Sequence, residues 1–236
     1  MTLKFKKNQI EKFLNSISKI NDQCIMKVEK NRVSTIVTSA DNTLILYSIL
    51  NHSNEFERSL NIPDLKKLNR VIDCIESDNF NLNVGPNYLE YKSPEIKFKY
   101  HLFEDDFLVP PPIKPEKING FETSFSFELT KEDFAKINKA STFTTETNKI
   151  YFYQEDGVVK CELTDKARHN TDSFQLTVGK NCQGDELKIL PVSFDNFKLI
   201  NADNVKVSVN NKFGVLIFDI TQDDLKLRYI LSSLTQ

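Results

Sequence analysis

A proline-dense stretch divides the chain into two halves. Val109–Pro115 holds four of the eight prolines in the 236 residues. Proline fixes its own φ and has no backbone N–H to donate, so this stretch cannot be a central strand. It predicts a stiff, extended connector with a folded unit on either side. We therefore predict a first domain at residues 1–109, a connector at 110–119 and a second domain at 120–236.

The two halves repeat one order of elements: helix, strands, helix, strands. Apolar residues recur at helical spacing, as Ile10, Phe13 and Ile17 do, and strand-like runs separated by turn residues follow each such stretch. Thr130 is the expected N-cap of the first helix in the second half. The predicted fold class is α+β, with two similar domains that each pack two helices on antiparallel sheets. The predicted helices span residues 3–19, 62–75, 131–143 and 192–201.

Positive charge is concentrated on these predicted helices. The whole chain has a net charge of −2, so DNA binding by bulk charge is excluded. The four helical stretches hold 12 basic and 6 acidic residues, a net +6, which leaves −8 for the remainder. A single exposed lysine usually contacts only solvent. However, the excess of basic residues on the helices of both halves favours contact with DNA phosphates. The residues predicted to face DNA are Lys6, Lys7, Lys12, Lys66, Lys67, Arg70, Lys131, Lys136, Lys139 and Lys198.

The chain contains none of the usual motifs of catalysis. Nucleotide-binding, metalloprotease and serine-hydrolase motifs are missing, and the four cysteines have no zinc-like spacing. The acidic runs Glu104–Asp106 and Asp223–Asp224 occur in turn-like contexts, where solvated carboxylates are ordinary. We therefore predict a binding protein without enzyme activity, metal or cofactor.

The N-terminal and apolar patterns bear on location. Met1–Lys7 lacks the apolar core of a signal peptide, and no apolar run is long enough to cross a membrane. The expected location is the cytoplasm.

Three segments carry a resemblance to a known family. Leu60–Leu68, followed by strands and the proline-rich connector, resembles the DNA polymerase sliding clamps of T-even-like bacteriophages, as does Ile189–Lys198 with the hairpins after it. The closing Leu227–Leu231 is similar to the end of the eukaryotic and archaeal clamps. The resemblance covers the whole chain by element order and length.

The resemblance implies a DNA-clamp fold and a ring. Three two-domain subunits would close head to tail as a homotrimer, with helices lining a hole that holds double-stranded DNA. Such a clamp tethers the replicative DNA polymerase for processive synthesis. An ATP-dependent clamp loader would place the ring on DNA, and the resemblance also permits a role as a transcription coactivator. If the chain is phage-encoded, it would act in the cytoplasm of the host cell.

Family clamps extend a sheet across each subunit interface and capture partner peptides near the connector. By position, the interface strands are residues 96–102 of one subunit and 173–178 of the next. The implied interface residues are Ile96, Phe98, Tyr100, Phe174, Leu176 and Val178. The implied peptide pocket consists of Leu44, Pro111, Ile113 and Ile230.

Two other functions fit the same composition. The first is a viral structural or assembly protein whose basic helices are merely solvated. The second is a metal-dependent nuclease that uses the acidic turns. A trimeric native mass would favour the clamp over the structural protein, and cleavage of DNA that depends on a divalent metal would favour the nuclease.

Overall fold

The computed structural model of the chain describes residues 1–200 and 202–234. Asn201, the last residue of a predicted helix, and Thr235 and Gln236 of the predicted second domain lie outside the described residues. Contacts divide the chain into two compact units, and each takes short segments from the other half of the sequence. The first unit consists of residues 1–40, 46–115 and 221–227, and the second of residues 41–45, 116–220 and 228–236.

The first unit contains two helices and most of the strands of the first half. The helices are α1 (Lys7–Ser18) and α2 (Leu65–Asp73). The strands are β1 (Thr2–Lys6), β2 (Cys24–Glu29), β3 (Arg32–Thr38), β4 (Leu44–Asn51, shared with the second unit), β5 (Arg58–Ile62), β6 (Asn79–Val84), β7 (Tyr88–Lys92) and β8 (Lys97–His101).

Antiparallel pairing organises the first unit. One sheet has the order β1-β6-β7-β8, and β2 lies between β5 and β3 in the other. Strands β1 and β6 pair through their apolar positions, with Leu3 opposite Leu82 and Phe5 opposite Phe80. All four of these side chains are buried, so this face of the sheet forms part of the core.

The second unit repeats this arrangement. Its helices are α3 (Pro115–Asn119, the second half of the predicted connector), α4 (Lys131–Ala140) and α5 (Phe194–Lys198). One sheet has the order β12-β11-β10-β14, while β9 lies between β13 and β15, and β15 pairs with β16. The strands are β9 (Phe125–Thr130), β10 (Lys149–Glu155), β11 (Val158–Leu163), β12 (Phe174–Val178), β13 (Lys180–Gly184), β14 (Leu190–Ser193), β15 (Asn204–Asn210), β16 (Val215–Gln222) and β17 (Leu225–Ser232), of which the last two have residues in both units.

The predicted cap of α4 is confirmed. The Thr130 side chain accepts a hydrogen bond from the Asp133 backbone N–H, and the Asp133 carboxylate accepts one from the Thr130 N–H. This reciprocal pair satisfies two backbone donors that the first turn would otherwise leave without partners. In the first half, Asp64 caps α2 by accepting from the backbone N–H of Lys67 at 2.7 Å.

The predicted first helix is wrong at its beginning. Residues 2–6 form strand β1, and α1 begins only at Lys7. Leu3 and Phe5 alternate with exposed Lys4 and Lys6, which is the two-residue period of a strand. Lys6 therefore precedes α1 and does not lie on it.

Other differences concern short elements and helix ends. Strands β5 and β13 and the one-turn helix α3 were not predicted, and the helix predicted at 192–201 shortens to α5 because Leu190–Ser193 is a strand. None of the helices in the described part of the chain is both long and apolar enough to cross a membrane.

Candidate nucleic-acid and partner interfaces

Helices α1 and α2 of the first unit pack side by side in opposite directions. The start of α1 meets the end of α2, where Lys7 contacts Asp73. Midway along the pair, the Asn69 amide donates to the Asn15 side-chain oxygen at 3.0 Å. Their apolar faces are buried, so each helix presents its polar face to solvent.

Five predicted DNA-facing residues of the first unit are exposed cations on or next to these helices. Lys12, Lys67 and Arg70 are exposed, and within residues 1–200 and 202–234 they form no ion pair. The same holds for Lys6, at the end of β1. Lys66 is exposed but pairs with Asp22 at 2.9 Å. Exposed pairs of this kind are weak, so Lys66 keeps most of its capacity to meet a phosphate.

Lys7 has a different environment from the other nine. Its ammonium donates to the carbonyl oxygens of Asp73 and Ile75, both at 2.7 Å, and lies 3.8 Å from the Glu11 carboxylate. These carbonyls lie at the end of α2, where the helix leaves its acceptors without partners. The structure therefore gives Lys7 a role in joining the two helices, which the sequence pattern did not reveal.

The second unit carries its exposed cations on α4. Lys136 and Lys139 are exposed and form no ion pair in the described residues. Lys131 forms an ion pair with Asp203 at 3.0 Å. Both side chains are exposed, so the pair is weak and Lys131 can contact a phosphate instead. Lys198 of α5 is more occupied, because it pairs with Asp195 at 2.6 Å and lies 4.8 Å from the centre of the Phe194 ring.

The basic bias of the helices is smaller than the sequence predicted. With the observed bounds, α1, α2, α4 and α5 hold nine basic and five acidic residues, a net charge of +4. The remainder of the chain then carries −6, because the total is −2. The helices are still the positive part of a negatively charged protein.

Strands β8 and β12, predicted at the subunit interface, are terminal strands of their four-stranded sheets. Ile96 and Phe98 near one edge, and Phe174 and Leu176 on the other, are half-buried apolar side chains. Tyr100 and Val178, which were also predicted there, are buried inside the subunit instead. The Tyr100 hydroxyl accepts from the Asp64 N–H at 3.0 Å and donates to the Asp64 carbonyl oxygen at 2.7 Å, which ties β8 to α2.

One aromatic residue beside β12 escaped the sequence reasoning. Phe143 follows α4, is 57% exposed, and places its ring edge-on to Phe174 at 5.7 Å between centroids. A large aromatic side chain that is exposed beside a sheet edge is typical of a contact surface. In the sequence, Phe143 stands out only because it is an apolar residue within a run of serine and threonine.

A groove runs between the proline-rich connector and strands β2 and β3. Pro110 and Pro111 form one wall, Ile25 and Ile36 form the other, and these four residues line two adjoining cavities of about 240 Å³ each. Ile113 lines one of these cavities. Of the four predicted pocket residues, the structure therefore brings Pro111 and Ile113 together. We call this feature the connector groove.

The other two predicted pocket residues do not line the connector groove. Leu44 and Ile230 are fully buried in the core of the second unit. Their burial could not be predicted from the sequence. Successive residues of a strand point to opposite faces of the sheet, and the sequence does not show which face another segment covers. The exposed apolar residues of this region are instead Val109, which lines the groove and is 88% exposed, and nearby Phe107, which is 64% exposed.

The groups considered for catalysis have ordinary environments. No cluster of three or more potential metal ligands occurs among the described residues. The Asp224 carboxylate accepts a hydrogen bond from Gln9 at 2.8 Å. Burial raises the pKa of Cys24 and of Cys161 to about 12, which keeps these thiols protonated and unreactive near neutral pH.

The fold is shared with solved structures over the whole chain. A protein from Eubacterium rectale ATCC 33656 named as a DNA polymerase III beta subunit matches with a TM-score of 0.78 at 11% identity, and the match covers 100% of this chain and 66% of that protein. Proliferating cellular nuclear antigen (PCNA) from Entamoeba histolytica matches with a TM-score of 0.74 at 16% identity, covering 99% of this chain and 98% of that one. PCNA of A. fulgidus, solved with the C-terminal region of FEN-1 bound, matches with a TM-score of 0.76 at 12% identity, covering 100% and 98%.

These likenesses establish that the chain has the α+β DNA-clamp fold. No protein-family model matches the sequence, and no curated protein sequence matches it either.

Proposed function

We propose that this protein is a sliding clamp, a non-enzymatic ring that encircles double-stranded DNA and tethers a DNA polymerase during replication. The observation that carries the proposal is the clamp fold along the entire chain, shared with both a polymerase III beta subunit and PCNA. Exposed cations on helices of both units fit the same function, because phosphates attract them without selecting a sequence.

The ring would consist of three copies joined head to tail. Each copy has two terminal strands, β8 and β12, with half-buried apolar side chains, and pairing β8 of one copy with β12 of the next would cover both edges. Two different surfaces meet at each such contact, which is the kind of interface that closes into a ring.

A topological link to DNA is the property that tests this function, and linear DNA allows the test without a loader. The protein is incubated with a long duplex tethered to a bead by one end, the free end is then blocked with streptavidin, and the beads are washed in 0.5 M salt. We expect the protein to remain on blocked DNA and to leave when the duplex is cut between the block and the bead. Screened phosphate contacts alone do not survive this wash.

Two outcomes would contradict the clamp. Equal loss from blocked and unblocked DNA would show binding without encirclement, as expected for a structural protein with solvated helices. Cutting of the duplex by the protein itself with added Mg²⁺ would indicate a nuclease. Nicked circular DNA is the matched control, since it has no end for a ring to thread over.

We propose further that Lys12, Lys67 and Arg70 face the DNA. Replacing all three by glutamate changes the charge of each subunit by −6, and we expect retention on blocked DNA to fall at least about tenfold at 0.1 M salt, because like charges then repel the phosphates. The matched control replaces the exposed Lys27, Lys30 and Lys226, which lie on or beside strands outside the proposed interface, in the same way. An equal effect of the two triple variants would show that only net charge matters and would remove the helices from the DNA-facing role.

We propose that the connector groove binds an extended apolar segment of the polymerase. Ile25, Ile36, Pro110 and Pro111 give it apolar walls at its centre, Val109 adds exposed apolar surface to its lining, and Phe107 is exposed nearby. Val109 is so exposed that Val109→Asp should not disturb folding, yet it places a charge where an apolar side chain would dock.

With Val109→Asp, we expect processive synthesis by the polymerase that the clamp serves to drop at least about tenfold, while retention on blocked DNA stays unchanged. Phe213→Asp, at an exposed apolar residue of the second unit, is the control and should preserve both activities. Undiminished synthesis with Val109→Asp would show that the polymerase binds elsewhere.

The remaining parts of the proposal rest on the resemblance to T-even-like phage clamps. A closed ring cannot thread onto circular DNA, so we expect retention on nicked circles to require an ATP-dependent clamp loader. A coactivator role would appear as increased transcript yield from a template that carries the loaded clamp. Failure of a loader with ATP to produce retention on circles would contradict the first of these expectations.

A further inference from the structure

The four-stranded sheet of the second unit has an apolar pocket on the face opposite its core. That face of such a sheet is expected to be exposed to solvent. Along β10, Ile150 and Phe152 are fully buried on the core face. Tyr151 lies between them, so its side chain points to the opposite face, yet it is only 5% exposed. An antiparallel sheet with one solvated face normally carries polar side chains there, so this patch departs from the pattern.

Two chain segments fold over Tyr151 and leave a space between them. After β11 the backbone N–H of Lys166 donates to the Tyr151 hydroxyl at 3.3 Å, and near the end of the chain the Leu234 N–H donates to the Pro191 carbonyl at 2.7 Å. The cavity between these segments measures about 280 Å³. We call it the tail pocket; it is lined by Tyr151, Ala167, Ile189, Pro191 and Leu234 and by two lysines, Lys149 and Lys166, whose charged ends we call its rim.

The position of the tail pocket at a sheet edge suits an extended ligand. Pro191 belongs to β14, the terminal strand at the opposite end of the sheet from β12, and the pocket therefore opens where the sheet ends. Ile189, just before β14, is 50% exposed, although its side chain lines an apolar cavity. A large apolar side chain entering the pocket would cover Ile189 and the Tyr151 ring.

The rim presents positive charge to solvent. Lys149 pairs with Asp165 at 2.8 Å, but the lysine side chain is 31% exposed and the carboxylate only 12%. Lys166 pairs with Glu162 at 2.9 Å, and again the cation is more exposed, 42% against 18%. Asp165 also forms an ion pair with Arg168. Three cations therefore surround two largely buried carboxylates, those of Asp165 and Glu162. The hydrogen bond from Lys149 holds the pKa of Asp165 below its usual range, so this ion pair persists to a lower pH than an ordinary aspartate would allow.

We propose that the tail pocket is a second docking site, which binds an extended acidic segment of a partner protein by one large apolar side chain. The apolar floor would hold that side chain, and acidic residues beside it would meet Lys149, Lys166 and Arg168. The site is separate from the connector groove and does not depend on ring formation.

Methyl NMR on the whole protein tests the proposal with a defined probe. The probe is an eight-residue peptide of alternating leucine and aspartate, and its matched control replaces every aspartate with lysine. At 0.15 M salt we expect saturable shifts of the Ile189 and Leu234 methyl signals with the acidic peptide and no saturation with the basic one. Similar binding of both peptides, or no saturable shift at these methyls, would overturn the site.

Two variants locate the binding. Lys166→Glu should raise the dissociation constant of the acidic peptide at least about tenfold by reversing one rim charge. Lys206→Glu changes an exposed lysine of β15 and should leave the constant unchanged. Ile189→Ala, at a half-exposed position, should weaken binding while the fold is preserved. An unchanged constant in both Lys166→Glu and Ile189→Ala would contradict the proposal, whereas the DNA retention of these variants reports separately on the clamp function.

Discussion

Leu176→Asp is expected to convert the assembled protein into monomers. Leu176 lies on terminal strand β12 and is half-buried in the isolated subunit, so the charge is tolerated there. In a ring the same side chain would be enclosed by β8 of the next subunit, where an unpaired buried charge costs about 3–5 kcal/mol per interface. We therefore expect native mass spectrometry to give three times 27.3 kDa for the unaltered chain and 27.3 kDa for the variant.

The neighbouring position provides the control for this prediction. Thr177 is exposed and points to the opposite face of β12, so Thr177→Asp should leave the trimer intact. Circular dichroism of both variants checks that the subunit fold is preserved. An intact trimer with Leu176→Asp would remove β12 from the proposed interface.

Mixing two variants tests the head-to-tail arrangement. Phe98→Asp disables the β8 edge and Leu176→Asp disables the β12 edge, so each variant alone should be monomeric. In an equimolar mixture, the intact β8 edge of one variant meets the intact β12 edge of the other. We expect a dimer of twice the subunit mass that cannot close, because its outer edges both carry a charge. A mixture that remains monomeric would contradict pairing between these two strands.

Phe197→Ala is expected to produce the largest loss of stability from a single core residue. Phe197 of α5 is fully buried and its ring contacts four others. Centroid distances are 5.4 Å to Phe134 of α4, 5.6 Å to Phe152 of β10, 6.1 Å to Phe218 of β16 and 6.3 Å to Phe194. Removing this ring leaves a cavity where helices and strands of the second unit meet, at a cost of about 3–5 kcal/mol.

Urea unfolding followed by circular dichroism measures this effect. With a urea slope of about 2–3 kcal/mol per molar, the unfolding midpoint should fall by about 1–2.5 M. Phe213→Ala is the matched control, because that ring is 61% exposed and its removal should cost less than about 1 kcal/mol. Equal losses for the two variants would contradict the central position of Phe197 in this core.

The Thr130 cap and the amphipathic helices were readable from the sequence because they depend on residues close together in the chain. Thr130 and Asp133 are three positions apart, and the apolar face of α1 repeats within four. The proline-rich connector was recognisable for the same reason. The exposure of Lys12, Lys67 and Arg70 also follows from local periodicity, since these residues oppose the apolar face of their own helix.

Pairing between distant segments decided what the sequence could not. Strand β1 was predicted as part of a helix because its partner β6 lies more than 70 residues away. Lys7 became a link between α1 and α2 only where α2 ends beside it. The same holds for the covering of Tyr151 by Lys166 and of Pro191 by Leu234, which created the tail pocket.

The sequence by itself thus determined the two-part organisation, the amphipathic helices and the concentration of positive charge on them. Periodicity, capping and proline chemistry act over a few residues, so one chain is sufficient to read them. Only the tertiary structure decided which apolar residues are buried, as Leu44 and Ile230 are, and which remain exposed beside a groove, as Val109 does. Burial depends on which face of a strand meets another segment, and that is set by contacts between residues far apart in the chain.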